Sequence, residues 1–576
     1  MKKKHTLLII ILAVFAIVSA CKEDFLNITP KGSLDQSVLA TDKGINALLI
    51  GAYSMLDGVS SSYGWEAASS NWVYGDIRGM VGNKGTDAGD QPDINPLQTF
   101  SETATNPYLN IKWREVYEAI SRCNSAILTT NAALGSGAIT EEAAASYIKQ
   151  ARALRGWYHF EAWRMWEKIP YVDETTDQST LTNKGNEDAV KASIIADLTE
   201  GTTLPTDMDQ VGRFNKTVSQ VLLAKALMQM NHDYTAALPL LASAKTGTKP
   251  NGAAIGLADT YGEIFDVVNR NGIESVYTVQ YSVNDASGAW NGGWGEVLNF
   301  PYKGGGGSPG GCCGFFQATQ EYVNSFRTSA GLPLLDFTYN DDPVVSDVGL
   351  APADPFTPDA GPLDPRLDWS VGRRGIPYWD WGKHTGSDWI RDQSYAGPYS
   401  PKKQVYKKSQ EGQYTEVGNW TSGWTANGYR MIRFADILLL EAECQIETNA
   451  ADLGQTNINL IRHRAANPDG FVMDGAVPAA DYQIAEYTVP FADQAEARLA
   501  LRMERKLELG MEGHRWFDLN RWGITQTELT RVLTYEKTMP WGNSMYGSNV
   551  VGPEDKTYPI PQRQLDLSQG NLEQNR

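Results

Sequence analysis

Serine, histidine, cysteine and paired carboxylates are the residues with which a protein does covalent chemistry. The chain holds one Gly-x-Ser-x-Gly run, Gly306-Gly307-Ser308-Pro309-Gly310. A nucleophile elbow uses the backbone N–H after its serine as an oxyanion donor. Pro309 has no N–H, so the run reads as a flexible loop. His159, His232, His384, His463 and His514 are scattered singly, with no HExxH and no paired metal spacing. Cys312 and Cys313 are adjacent, which is no metal spacing either; they form a vicinal disulfide or stay as two thiols. These patterns assign no catalytic residue, no metal ligand and no cofactor. Asp and Glu are plentiful, so the carboxylate pair of a surface glycan hydrolase stays open as an alternative.

Binding chemistry is better represented. The chain has 17 Trp, 26 Tyr and 16 Phe, and many lie in polar, Gly-rich stretches. Flat aromatic faces stack on the C–H face of a sugar, and a few fixed polar groups then orient its hydroxyls. Three regions offer both. The first is Asn71-Trp72-Val73-Tyr74-Gly75-Asp76-Ile77-Arg78, from which Trp72, Asp76 and Arg78 are ligand candidates. The second is the Gly-rich stretch with Trp290, Asn291, Trp294 and Tyr302. Gly292 and Gly293 let the backbone turn both tryptophans to one side, as an exposed platform. The third, Tyr378-Trp379-Asp380-Trp381 with Trp389, Arg391 and Tyr395, reads more readily as scaffold.

Long helices must carry these loops. Ile111 to Leu128 places Trp113, Tyr117, Ile120, Asn124 and Ile127 on one face. Tyr147, Ala151, Leu154, Tyr158, Ala162 and Met165 recur at three- and four-residue steps, and Ile169-Pro170 closes that helix. Val218 to Met230 is a third helix, turned by Asn231-His232-Asp233-Tyr234 into a fourth. This is the logic of a degenerate tetratricopeptide-like hairpin. Glu274 to Tyr281 alternates as a strand. Residues 337–424 are mostly Asp, Pro, Gly and aromatics without periodicity, which a compact fold tolerates where loops carry function. Helices return at Arg433 to Ile446, Ile458 to Ala465 and Ala495 to Glu512. Arg and Glu of 498–515 suit structural pairing, and Arg515-Trp516-Phe517 and Arg521-Trp522 suit guanidinium–aromatic packing. Cys123 and Cys444 lie in helical patterns as buried thiols.

The net charge of −18 argues against nucleic acid, whose phosphates need a basic face. At the N-terminus, Met1 to Lys4 is basic, Leu7 to Val18 is apolar, and Val18-Ser19-Ala20-Cys21 is a small-residue cleavage site, together a secretory signal. The apolar run is too short to cross a bilayer. The junction resembles a bacterial lipobox, which implies acylation of Cys21 and a stable lipid anchor. Lys22-Glu23-Asp24 resembles the surface-export signal of Bacteroidetes lipoproteins.

The chain as a whole resembles the SusD/RagB-like family of Bacteroidetes outer-membrane nutrient-binding lipoproteins. The resemblance rests on an ordered set: Cys21 to Leu26 and Pro30; Ala151-Arg152-Ala153-Leu154-Arg155-Gly156-Trp157-Tyr158; Gly212-Arg213-Phe214; Asp364-Pro365-Arg366; Arg433 to Leu439; Ile461 to Ala465; Arg505 through Gly513-His514-Arg515-Trp516-Phe517-Asp518 to Gly523; and Tyr558-Pro559-Ile560-Pro561. It implies a mainly α fold, four tetratricopeptide-like helical hairpins packed against a loop-rich subdomain with little β. The expected organisation is a signal over 1–20, an anchor and export linker over 21–35, an N-terminal helical region over 36–268, and a C-terminal region over 269–576 with a loop-rich insertion at 269–430. The resemblance also implies a SusC-like TonB-dependent transporter as partner, an oligosaccharide ligand, no catalysis, and a lipid-anchored place on the outer membrane facing the exterior. A peptide or glycopeptide ligand is the alternative within the family. Such a site would carry fewer Trp platforms and more strand-edge or charged contacts.

Overall fold

The computed structural model describes residues 39–576 apart from 62, 303–306 and 419. Cys21, the signal and the export segment lie outside the described residues. The helices pair in sequence. Helix α1 (Asp42–Tyr53) packs on α2 (Pro107–Gly135). Helix α3 (Glu141–Trp166) packs on α4 (Glu187–Gly201), and α5 (Lys216–Asn231) on α6 (Tyr234–Lys245). Helix α7 (Phe434–Glu447) packs on α8 (Ala451–Ala465) and also on α6, so the fourth pair continues the row after a long excursion of chain. These are four helical hairpins beside a loop-rich body.

The starts are written locally. Thr41, Asn106, Thr140, Asn215 and Asp233 each accept a hydrogen bond from a backbone N–H of the first turn that follows, and Pro107 stands at N1 of α2. Two ends differ from expectation. Helix α3 stops at Trp166, before Ile169-Pro170, because Glu167 takes φ 54°. Helix α8 begins at Ala451, two turns earlier than its apolar pattern begins, because its first turns are polar.

Helix α9 (Gln494–Leu509) is the electrostatic centre. Glu504 pairs with Arg366 (2.6 Å) and Arg462 (2.9 Å), and Glu508 with Arg366, Arg433 and Arg464. Just beyond it, Glu512 holds Arg433 and Lys403. All are buried, so each charge is matched by a partner from another element; the pairing is between elements rather than along α9. In the next helix, α10 (Arg515–Arg521), Arg521 lies over Trp522 at 5.5 Å, whereas Phe517 receives Arg164 of α3 at 3.9 Å.

The β structure is slight. Strand β1 (Gly82–Gly85) pairs antiparallel with β3 (Phe315–Ala318), and β2 (Ser275–Thr278) with β4 (Arg430–Arg433). One hydrophobic core runs from Leu49 to Ile560. Cys123 and Cys444 are buried free thiols, and Cys312 and Cys313 are joined as a vicinal disulfide across a cis peptide bond.

Candidate functional site

Three loops meet in one cluster, and each brings aromatic rings. The first, residues 58–66, carries Tyr63 and Trp65; the second, 282–294, carries Trp290 and Trp294; the third, 412–425, carries Trp420 and Trp424. Trp65 (8 % exposed), Trp294 (6 %) and Trp424 (4 %) form a buried base. Tyr63 (50 %), Trp290 (53 %) and Trp420 (43 %) stand on it in solvent. Among the described residues these three are the only exposed aromatic side chains, and all three belong to this cluster.

The rings are in contact. Trp290 stacks on Trp294 with centroids 5.1 Å apart and planes 24° apart. Tyr63 stacks on Trp65 (4.6 Å, 10°) and on Trp294 (5.7 Å, 21°). Trp424 meets Trp294 and Trp420 edge-on at 5.3 and 4.9 Å. Such offset and edge-to-face contacts stabilise the cluster beyond its burial and fix the planes of the exposed rings.

Backbone bonds hold the loops together. Gly293 N–H donates to the Thr425 carbonyl (3.0 Å), and Thr415 and Glu416 pair with Thr425 and Trp424 as short strands. Asn284 donates to the Glu416 carboxylate, and Ser422 N–H and the Thr421 hydroxyl both donate to the Gly310 carbonyl. Two glycines allow the approach. A Cβ on Gly64 would lie 2.7 Å from the Trp294 Cβ, and one on Gly418 would enter the Trp424 ring.

Of the residues expected from sequence, Trp290 stands in this cluster as an exposed ring and Trp294 as its buried support. Asn291 is at the rim, where its side-chain amide donates to Asp285 at 2.8 Å. Ser287 and Asn291 hold the Asp285 carboxyl well below the usual range. Tyr302 is elsewhere: its ring lies under Arg391 at 5.1 Å, and Arg391 is paired with Asp87 and Asp90.

The region 71–78 is corrected. Trp72, Asp76 and Arg78 are interior, at 3 %, 0 % and 0 % exposed. The Trp72 indole donates to the Gly295 carbonyl (2.8 Å) and so supports the platform from beneath. Asp76 accepts from the N–H groups of Gly513 (2.6 Å) and Arg515 (3.1 Å), bracing the start of α10. Arg78 pairs with Glu102 and Asp555 between the rings of Phe100 and Tyr558. Their polar groups are consumed within the fold, so they face no ligand. Tyr378 and Trp389 likewise lie in a buried cluster, as expected of scaffold.

Sequence reading passed over Tyr63, Trp65, Trp420 and Trp424. A signal existed: Trp290-Asn291-Gly292-Gly293-Trp294 and Trp420-Thr421-Ser422-Gly423-Trp424 share the pattern Trp-x-x-Gly-Trp, and the two copies pack together.

The Nδ1 of His384 accepts the Gly386 N–H, so its Nε2 carries the proton and donates to Ser400. A general base needs the opposite polarity. Beneath the platform, burial pushes Glu296 up to about 7, against the moderating Ser70 and Tyr281 hydroxyls. Burial, with the Glu296 charge adding, also pushes the neighbouring Asp57 to about 7. Glu296 is 3 % exposed and sits under the rings, out of reach of a bond held above them. A groove of about 920 Å³ lies between α2, residues 170–181 and residues 564–572, and its rings, Trp113 and Tyr117, are not exposed.

A row of helical hairpins carries, on its loops, an aromatic platform open to solvent. Residues 273–576, more than half of the chain, match the model of the SusD family, and the chain belongs to that family. SusD-like protein P25 of Formosa agariphila is 23 % identical over 579 residues, covering 98 % of this chain and 97 % of the relative. Surface glycan-binding protein A from Bacteroides fluxus shares the fold with a TM-score of 0.66 at 21 % identity, covering 93 % of this chain and 99 % of its own. The corresponding protein from Bacteroides thetaiotaomicron, solved in complex with laminarihexaose, gives a TM-score of 0.63 at 21 % identity with the same coverage.

Proposed function

We propose that the chain is a cell-surface oligosaccharide-binding protein, anchored through an acylated Cys21, that passes its ligand to a SusC-like TonB-dependent transporter without chemical turnover. The observation that carries the reading is the gathering of Tyr63, Trp290 and Trp420, exposed, on the buried base of Trp65, Trp294 and Trp424. Pre-ordered rings bind without the entropy cost of ordering them on contact. Stacking a base on a protein ring contributes roughly 1–3 kcal/mol, and a sugar face should give a similar or smaller amount. Several rings together then suit an extended chain of sugars. The solved relatives named as glycan-binding proteins support the same reading. No helix among the described residues is long and apolar enough to cross a membrane; the support for the anchor is the lipobox-like junction at Cys21.

A glycan array probed with the mature protein tests this. Binding to oligosaccharides that is lost in Trp290→Ala/Trp420→Ala, with no new reducing ends after long incubation, is the expected result. Peptide ligands only, or glycan binding unchanged in that variant, overturns it.

A further inference from the structure

We infer that the platform takes an uncharged glycan and rejects carboxylated or sulfated ones; this rests on the platform being a glycan site. The three loops that build it, residues 58–66, 282–294 and 412–425, contain Glu66, Asp285 and Glu416, with Glu411 just outside, and no Lys, Arg or His. The chain carries 50 Lys and Arg among 576 residues, so stretches of this combined length would ordinarily hold several.

The rings show the same bias. Elsewhere in the protein, cations cover tryptophan faces: Lys191 on Trp163, Lys402 on Trp369, Lys407 on Trp379 and Lys408 on Trp381. Among the described residues, no Lys or Arg lies over any of the six platform rings. Among the described residues, cations that border the loops are committed. Arg114 pairs with Glu115 and Arg122 with Glu118, and Arg270 lies over Tyr414. Recognition of a carboxylate or sulfate relies on such donors, Arg above all. Here an anionic sugar would find Asp285 and Glu416 on the platform loops and the exposed Glu411 beside the third, all of its own sign. Like charges brought together at a binding surface suppress the wrong partner. A neutral sugar meets no such field, and its hydroxyls can donate to these carboxylates.

The test uses laminarin, galactomannan and amylopectin, each beside a sulfated preparation of the same polysaccharide, in affinity electrophoresis of the mature protein. The expected result is retention by at least one neutral form, and at least about fivefold weaker retention by its sulfated partner at low salt. That gap should narrow at physiological salt, where the Debye length falls to about 8 Å. The double variant Glu411→Lys/Glu416→Gln should narrow it further. Equal or tighter binding of a sulfated form, still lost in Trp290→Ala, overturns the charge preference and leaves the platform standing. Silence on all six polysaccharides and on a glycan array overturns the platform itself, and this inference with it.

Discussion

Gly64 lies against Trp294, with room for a hydrogen but not a methyl group: a Cβ at position 64 would sit 2.7 Å from the Trp294 Cβ and 2.8 Å from the Asp57 carbonyl oxygen. The loop that carries Tyr63 and Trp65 can reach the second tryptophan loop only because of that glycine. Gly64→Ala should therefore part the two loops. Overpacking of this kind costs about 1–3 kcal/mol. The expected outcome is a modest fall in melting temperature with a loss of glycan binding of about tenfold or more, although Gly64 offers no side chain to a ligand. Calorimetric titration beside a thermal melt checks both. Unchanged affinity would show that the loops need not touch.

Trp290 and Trp294 should separate cleanly. Trp290 is half exposed, so Trp290→Ala should weaken binding at least about tenfold, or ~1.4 kcal/mol, and barely move the melting temperature. Trp294 is buried among four rings. Truncating a buried Trp to Ala typically costs 3–5 kcal/mol. Trp294→Ala should thus lose stability first and binding as a consequence. The pair was expected from sequence to act alike as an exposed platform; the structure divides the roles. Equal effects of the two variants on stability would contradict that division.

Why part of the site was legible and part was not follows from where partners come from. Trp290 and Trp294 stand in a Gly-rich stretch without periodicity, and such a stretch is a loop whatever the rest of the chain does. Trp72, Asp76 and Arg78 offered the same mixture of aromatic, carboxylate and guanidinium, yet their partners are Gly295, Gly513, Arg515, Glu102 and Asp555. Most of those lie hundreds of residues away, and a local pattern cannot distinguish a buried network from a binding site. The long helices α2, α3 and α5 were readable because burying one face imposes its period on the sequence. Helices α1 and α4 passed unread, their patterns being short or weakly amphipathic.

Arg78 provides a test of the corrected assignment. Its guanidinium is wholly buried between two carboxylates, Glu102 and Asp555. Leaving a buried charge wholly unmatched costs about 3–5 kcal/mol; Arg576 also reaches Glu102 (2.6 Å) and Asp555 (3.5 Å), so the loss here is part of that. Arg78→Ala should shift the denaturant midpoint downward. Below that midpoint, glycan affinity should stay within about twofold of the parent. A variant that folds normally and binds poorly would return Arg78 to the ligand site.

Membrane attachment rests on Cys21 alone in this reading. Cys21→Ser should leave the protein in the aqueous phase on detergent partition, with its melting temperature unchanged. Retention in the detergent phase, in cells lacking the transporter, would require another anchor.

The buried carboxyl of Glu296 makes a pH prediction with a definite sign. Burial raises its folded pKa to about 7 from an ordinary value of 4.5. Between those values the unfolded chain releases a proton that the folded protein keeps. Glu296 therefore favours the fold fully below about pH 4.5, and that contribution is lost as pH rises to about 7. Glu296→Gln has nothing to titrate. Relative to the parent, the variant should gain about 3 kcal/mol of stability between pH 4.5 and pH 8, since one pKa unit is ~1.4 kcal/mol. Glu296 follows Gly295, whose carbonyl Trp72 holds, so its ionisation should disturb the footing of Trp294. Parent binding should weaken above pH 7 and variant binding should not. Denaturant melts and titrations of both proteins at pH 5 and pH 8 decide the matter: parallel pH dependence in parent and variant would mean that Glu296 ionises freely and that the platform stands on something else.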